Sequence, residues 1–380
     1  MAAGTDADVA IVGAGPVGSA LAIMLGRAGK RILLLDQARF PRDKPCGEGL
    51  LPAGARVVEQ LGIGLDTLPA LHGVTYRVPA AGSVQGRFAG RVGRGARRLA
   101  FDERLAQAAA LTPNVKAAFG CKAIGLEHSA AGVRVETTGG GIRASFLVGA
   151  DGCRSQVAGW MGWRCPPRAP HRYALVGHFD APGHRFDRIV VTLLDGCEVY
   201  LAPTGPAELL VALLGSKRSL RRESEQVGEA YARRVADAHP ELAGCGHTAI
   251  TGAGPFWTRP STIAEGRVFL VGDAAGFLDP LTGDGMTAGL VAASYVSTVL
   301  REERSDAAGA YKSWEARRWR RRVFMGRLAL TLSGSSGLAR RAIRGLAKHP
   351  AALDRLLEVN EGTRSPFSLA ARDWVALAGV

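Results

Sequence analysis

Residues 7–36 read ADVAIVGAGPVGSALAIMLGRAGKRILLLD. The stretch predicts strand, tight turn, helix and strand. Val9 to Val12 is an uncharged apolar run, as a strand buried on both faces would be. Gly13, Ala14, Gly15, Pro16, Val17 and Gly18 complete G-x-G-x-x-G. In that pattern Gly13 permits the turn, Gly15 lets a pyrophosphate approach the backbone, and Gly18 lets the helix lie close to the strand. A helix starting at about Pro16 offers unpaired N–H groups and the positive end of its dipole to phosphate. Arg31 to Leu35 is the second strand. Asp36 follows at its tip, where a carboxylate can accept the ribose hydroxyls of an adenine nucleotide. A glycine-rich turn that merely packs helix on sheet would not need an acid there. The stretch predicts a dinucleotide site and leaves FAD or NAD(P) open, with a 2′-phosphate disfavoured by Asp36.

The chain has 380 residues, enough for two domains with sizeable cores. Apolar residues make up 47% and charged residues 22%, which fits an ordinary globular protein. No apolar run is long enough to cross a membrane, and no secretory leader is visible, so a cytoplasmic protein is expected. The six cysteines form no C-x-x-C pair and no zinc-like Cys/His spacing. They read as reduced thiols, and no metal is expected. The net charge is +14, and nine of those charges fall between Arg301 and Lys348. Such a block suits an anionic membrane surface or an acidic carrier protein, and equally a solvated helix face. No zinc-finger, helix-turn-helix or RNA-recognition signature accompanies it, so nucleic acid is not an expected partner.

Beyond Asp36, a loop rich in proline and glycine runs to about Leu51. Helices are expected at 53–61 and 101–110, with Asp102 and Glu103 in the first turn of the second. Twisted strands are expected within 74–94, and hairpin-linked strands at 115–119, 122–128, 132–138 and 142–148. The last of these ends in Ala150-Asp151-Gly152. Strands at 174–179, 189–194, 198–201 and 209–214 precede a helix near 223–238 and read as a second sheet. A buried strand at 267–271 then leads into Gly272-Asp273-Ala274-Ala275-Gly276 and Asp279-Pro280-Leu281-Thr282-Gly283-Asp284-Gly285-Met286, followed by a long helix at 287–301. From Tyr311 the chain reads as helical and basic, then apolar, with glycines and serines at 333–337. Arg317, Arg318, Arg320, Arg321 and Arg322 are too dense for one helix face. They suit either a lipid-facing rim or a helix packed across the first domain with its cationic heads reaching water.

GAGPVG at 13–18, ADG at 150–152 and GDAAGFLDPLTGDGM at 272–286 together resemble the FAD-dependent flavoprotein superfamily of para-hydroxybenzoate hydroxylase and the geranylgeranyl reductases. The resemblance covers about residues 8–300. It implies an α/β fold: a Rossmann-like FAD-binding domain (1–72, 96–168 and 258–305), an antiparallel substrate-binding sheet (73–95 with 169–257) and a helical C-terminal segment (306–380). It also implies that Asp273 meets the ribityl chain, and that Pro280 and Gly283 to Met286, with Asp284 among them, approach the isoalloxazine ring. Helix N–H groups there would face the edge where charge gathers on reduction. Asp151 and Gly152 would lie by the pyrophosphate, Arg98 of R-x-x-F-D would contact FAD, and Ala123 would offer backbone to adenine.

Cys46-Gly47-Glu48 resembles the C-G-E motif of the reductase branch and its hydroxylase relatives, placing Cys46 and Glu48 on the substrate side. A buried cysteine is more often inert than redox-active. Tyr200, His178 and His171 are the side chains that could activate a phenol. W-x-W-x-I-P, the halogenase motif, is absent. Glu198 to Pro203 holds one aromatic and no tryptophan, unlike the substrate sheet of the prenyl reductases.

The resemblance therefore implies an FAD-dependent oxidoreductase with NAD(P)H as transient donor. Its leading form is a monooxygenase that uses O2, through a flavin C4a-hydroperoxide, on an aromatic or polyketide-like small molecule. The alternatives are a reductase of a lipid double bond and a non-catalytic flavin-binding or membrane-associated protein. Heat release from the purified protein should yield FAD and no FMN, resolved by chromatography, because Asp36 and the first glycine turn serve an ADP half. FMN alone in the eluate would overturn the reading.

Overall fold

A computed structural model describes residues 5–79, 81–220 and 226–379. Five parallel strands form the heart of the first sheet, in the order Val268–Leu270, Gly140–Gly149, Ala7–Val12, Ile32–Asp36 and Val115–Phe119. The strand Ile32–Asp36 is buried along its whole length. Ala123–His128 and Val133–Thr137 extend the long Gly140–Gly149 strand as an antiparallel meander. The helices Pro16–Arg27, Arg98–Ala110 and Gly285–Arg301 pack together. Their apolar faces share one core with the strands, including Leu21, Leu25, Phe101, Leu105, Leu290 and Val296.

A second sheet has seven strands, in the order Thr251–Ala253, Tyr173–Asp180, Glu208–Gly215, Cys197–Pro203, Ile189–Leu194, Gly73–Val78 and Gly82–Arg87. All neighbours are antiparallel except Ile189–Leu194 beside Gly73–Val78, which run parallel. Because side chains alternate across a strand, each face carries its own core. One face buries Val199, Leu201, Leu209 and Val211 against Tyr231 and Val235 of the helix Val227–Ala238. Residues 223–225 of the expected helix lie outside the described residues. The other face buries Val74, Ile189, Val191 and Tyr200 beneath three C-terminal helices: Ser336–Lys348, Pro350–Glu361 and Ala371–Ala378. A small sheet of Gly49–Leu50, Gly93–Gly95 and Ala70–Leu71 lies between the two large ones. The fold is thus mixed α/β, with parallel and antiparallel sheets.

The helix expected at Phe101 begins at Arg98, so Asp102 and Glu103 fall outside its first turn. Its start is set by a distant side chain: the Arg98 N–H donates to Glu48 Oε1 at 2.8 Å. A cap borrowed across fifty residues leaves no local sequence mark. The helix after the third motif starts two residues earlier than expected, at Gly285, with Asp284 as its cap residue.

The basic tail forms one helix of 27 residues, Ala307–Ser333, ending at Gly334. Ser335 caps the next helix by accepting from the Leu338 N–H. Trp314 stacks on Tyr295 with 4.4 Å between ring centroids and 7° between planes. The arginines at 317–322 are not one exposed cluster. Arg322 is buried and donates to Asp284 Oδ2 at 2.8 Å, and the Arg318 guanidinium lies over the Trp314 ring. Packing across the first domain therefore accounts for this helix.

Breaking a buried ion pair leaves one charge uncompensated and costs about 3–5 kcal/mol. Arg322→Met should lower stability by about that amount in denaturant titration, and Asp284→Asn in the same chain should recover much of it. A stability unchanged in Arg322→Met would show that the pair is not buried in solution.

Candidate functional site

The first motif makes a tight cradle. Gly13 has φ +104°, and a side chain there would run into the Ala150 carbonyl. A Cβ on Gly18 would overlap the Gly13 carbonyl oxygen. Gly15 differs: the one atom near its Cβ position is Nη2 of Arg42, at 3.4 Å. The backbone at Gly15 is thus open to a ligand, at the start of the helix Pro16–Arg27, where N–H groups and the dipole favour an anion. Ala14 donates its N–H to Asp36 Oδ2 and Ala38 donates to Oδ1, both at 2.8 Å. These bonds fix the Asp36 carboxylate, and each oxygen keeps a second lone pair for a hydroxyl.

Arg42 went unnoticed in the sequence because it sits in an irregular loop with no motif around it. Its Nη2 lies 3.6 Å from Asp36 and its Nη1 lies 3.4 Å from Asp102. Lys44 brings Nζ to 3.1 Å from the Cβ position of Gly152. One loop thus sets two cations over the two turns. A doubly charged pyrophosphate suits that pairing, and the open face of Gly15 gives it room.

Asp151 accepts from the Gln156 and Val157 N–H groups through Oδ2, while its Oδ1 is buried without a partner. Burial raises its carboxyl above the usual range. Gly152 is left-handed at φ +81°. In the third motif, Pro280 opens a 3-10 turn that ends on left-handed Gly283 (φ +65°). Asp273 Oδ1 lies 3.9 Å from the Cβ position of Gly285, so this acid stands beside the helix start. Met286 packs against the core of the first domain. Ala123 is buried at the start of its strand.

Arg98 is locked inside the protein, with Nε 2.5 Å and Nη2 2.7 Å from the two oxygens of Asp102. Glu48, left-handed at φ 55° and 1% exposed, brings Oε2 to 2.9 Å from His178 Nε2, while Arg97 Nη1 is 2.7 Å from the same nitrogen. Glu48 and His178 therefore form an internal cluster instead of lining the space described next. His171 is exposed. The Cys46 sulfur accepts from the Glu48 N–H, and burial pushes its thiol up.

An apolar cavity lies between the second sheet and the C-terminal helices. Val74, Ile189, Val191, Leu281, Leu356 and Leu357 are among its walls. Tyr200 reaches it from the sheet, its hydroxyl buried without a hydrogen-bond partner. Where a Cβ on Gly49 would stand, that hydroxyl is 2.7 Å away, and for Gly283 it is 3.9 Å away. Tyr200 thus meets the C-G-E loop and the third motif together. Asn360 and Glu361 close the helical wall, and Asn360 donates to the Thr282 carbonyl at 2.9 Å.

A family model described as FAD binding domain matches residues 6–323. The chain belongs to that FAD-binding-domain family. It is an FAD-dependent oxidoreductase. Menaquinone reductase of Mycobacterium tuberculosis is 28% identical over 354 residues, covering 88% of this chain and 86% of that protein. Squalene monooxygenase of Rattus norvegicus is 29% identical over 321 residues, covering 75% of this chain and 53% of that protein. The crystal structure of a flavoprotein/dehydrogenase from Cytophaga hutchinsonii shares the fold with a TM-score of 0.82 at 18% identity, covering 94% of this flavoprotein and 92% of its own chain. No helix among the described residues is long and apolar enough to cross a membrane.

The two glycines separate folding from binding. Gly18→Ala should fold poorly, since its Cβ would overlap backbone. Gly15→Ala should fold normally by circular dichroism yet retain little flavin, because only the Arg42 tip must move. Full flavin retention in Gly15→Ala would show that this turn does not carry the pyrophosphate.

Proposed function

We propose that this flavoprotein reduces a double bond of an apolar, quinone- or isoprenoid-like lipid. The observation that carries the reading is the apolar lining beneath the C-terminal helices, which encloses about 50 Å³. The match to menaquinone reductase over 86% of that protein supports it, against 53% for squalene monooxygenase. Bound FAD supplies a ring that accepts hydride from NAD(P)H and passes it on.

The chain's own residues do the rest. Backbone from Gly13 to Gly18, with Arg42 and Lys44, holds the pyrophosphate next to Asp151 and Gly152. Asp36 takes the ribose. Ala123 offers backbone to adenine, and Arg98, locked to Asp102, shapes the wall beside Cys46. Asp273 receives the ribityl chain. Pro280, Gly283, Asp284, Gly285 and Met286 lead the helix start to the ring edge. The pair of Asp284 with Arg322 holds that loop in place, and Arg322 with Thr282 keeps the Asp284 carboxyl below its usual range.

Tyr200 is a donor in this reading and not a base. Burial pushes its hydroxyl far above the usual tyrosine range, so it keeps its proton and can donate a hydrogen bond that polarises a substrate atom near the ring. The apolar walls exclude water from the reacting carbon. No second G-x-G-x-x-G follows a strand, so NAD(P)H binds transiently.

A second reading is kept: hydroxylation of an aromatic or polyketide-like molecule with O2. The squalene monooxygenase match favours it. Anaerobic incubation with menaquinone and NADPH or NADH decides between the two. Nucleotide oxidation that persists without O2, with a product that gains two hydrogen atoms by mass spectrometry, is expected. Turnover that requires O2 and adds an oxygen atom would overturn the reductase reading. Tyr200→Phe should lower kcat about 10²-fold or more, as loss of a positioned hydrogen-bond donor does, with FAD content unchanged.

A further inference from the structure

Glu361 is the side chain in the cavity with the least explanation. It ends the helix Pro350–Glu361, lines the cavity beside Leu357 and Asn360, and its side chain is 2% exposed. Neither carboxyl oxygen makes a hydrogen bond within the described protein. Arg91 Nη2 approaches Oε2 at 3.0 Å, off the line a hydrogen bond needs, and leaves Oε1 with nothing. A buried carboxyl so placed costs stability unless something supplies a donor.

The register across the sheet shows what it faces. Tyr200 lies opposite Val191, and Val191 opposite Tyr76, along one row of the same face. All three line the cavity. Tyr200 stands on the sheet wall, by the loops of the C-G-E and third motifs. Glu361 stands on the helical wall that covers the sheet. Between them the lining is mainly aliphatic. Tyr200, whose hydroxyl has no partner, and Glu361, whose Oε1 has none while its Oε2 meets Arg91, line one cavity with apolar surface around them, which describes a ligand with an apolar body and polar atoms at fixed places.

We propose that Glu361 recognises the polar end of the ligand, that this end is a hydrogen-bond donor such as the hydroxyl of an isoprenoid alcohol or of a reduced quinone, and that carboxylate-ended molecules are rejected. The proposal rests on the reading above only in taking this cavity as the substrate's. Glu361 accepts through Oε1, which is bare of partners. A second anion would meet the carboxyl with Glu358 close behind it and one rim arginine, Arg91, to offset them. Burial pushes the Glu361 carboxyl up to about 7. Near neutral pH it is therefore shared between two forms, and each keeps an acceptor oxygen for a hydroxyl. A purely structural role, holding the loop at Arg91, would give no preference among ligand ends.

The test is equilibrium dialysis of the FAD-loaded protein against three probes of one shape: 4-butylphenol, its methyl ether 4-butylanisole, and 4-butylbenzoate. The phenol should bind about tenfold more tightly than the ether, the worth of one buried hydrogen bond, and the benzoate most weakly. Glu361→Leu should bring the phenol-to-ether ratio close to one, while Glu361→Gln, which keeps an acceptor, should retain part of it. Equal affinities for phenol and ether in the wild type, benzoate binding as tight as phenol, or an unchanged ratio in Glu361→Leu would each overturn the proposal. Should the leucine variant fail to fold, the wild-type contrast and the glutamine variant decide. Flavin content is scored separately by absorbance. A protein that takes up no FAD overturns the proposed reaction, and the probe contrast remains readable on it.

Discussion

The architecture depends on backbone packed against backbone where Gly13, Gly18 and Ala150 meet. A Cβ on Gly18 would overlap the Gly13 carbonyl, and one on Gly13 would press on Ala150 and Asp151. The third motif joins at the same place: Cβ positions on Gly272 and Gly289 fall 3.2 and 2.5 Å from the Val17 side chain. Three segments spread over most of the chain thus form one packed unit with Val17 near its middle. Glycine is required here because a methyl group has nowhere to go, and the conformations at Gly13 and Gly272 are left-handed as well. The cofactor cradle is therefore set by the same contacts that hold the first domain together.

From that unit a line of charged side chains leads toward the second sheet. Asp36 meets Arg42, Arg42 meets Asp102, and Asp102 grips Arg98. The Arg98 backbone is capped by Glu48, and Glu48 meets His178 of the strand Tyr173–Asp180. Most of these groups are buried. Buried ion pairs add little net stability against apolar replacements, yet removing one member is expensive, so they enforce one arrangement. Glu48 also holds a left-handed backbone, which costs a non-glycine residue about 1–2 kcal/mol. Its carboxylate bonds on both sides offset that strain and fix the C-G-E loop between the two sheets.

What the sequence made legible was local. The strands at 115–119 and 189–194 match their expected limits, and the first motif forms the turn and helix its glycines demand. Less legible was everything defined by a distant partner. Arg42 carries no motif and gains meaning only from Asp36 and Asp102. Arg322 belongs to a run that looks solvent-facing, and its burial follows from Asp284, 38 positions earlier. Glu361 sits in LLEVNEG, which reads as an ordinary helix end. Its burial depends on that helix lying over the sheet edge, where Cβ positions on Gly86 would meet Leu353 and Leu357. Helix-on-sheet docking has no period in the sequence to announce it.

Tyr200 shows why small residues recur on both sides of the apolar cavity. Its ring and hydroxyl are the first atoms that Cβ positions on Gly47, Gly49 and Gly283 would meet, and the Gly49 position is too close to hold a carbon at all. Glycines in two separate motifs thus make room for one phenol as well as for a flat ring. The phenol gains no hydrogen bond from the protein for that accommodation. Leaving a buried hydroxyl unpaired costs about 1–3 kcal/mol, so this fold keeps it at a loss that a bound polar atom would relieve. The same holds for Oε1 of Glu361, which has no partner while Oε2 meets Arg91. In the proposed complex, apolar walls hold the substrate body, while the Tyr200 hydroxyl and Glu361 Oε1 set which way round it lies.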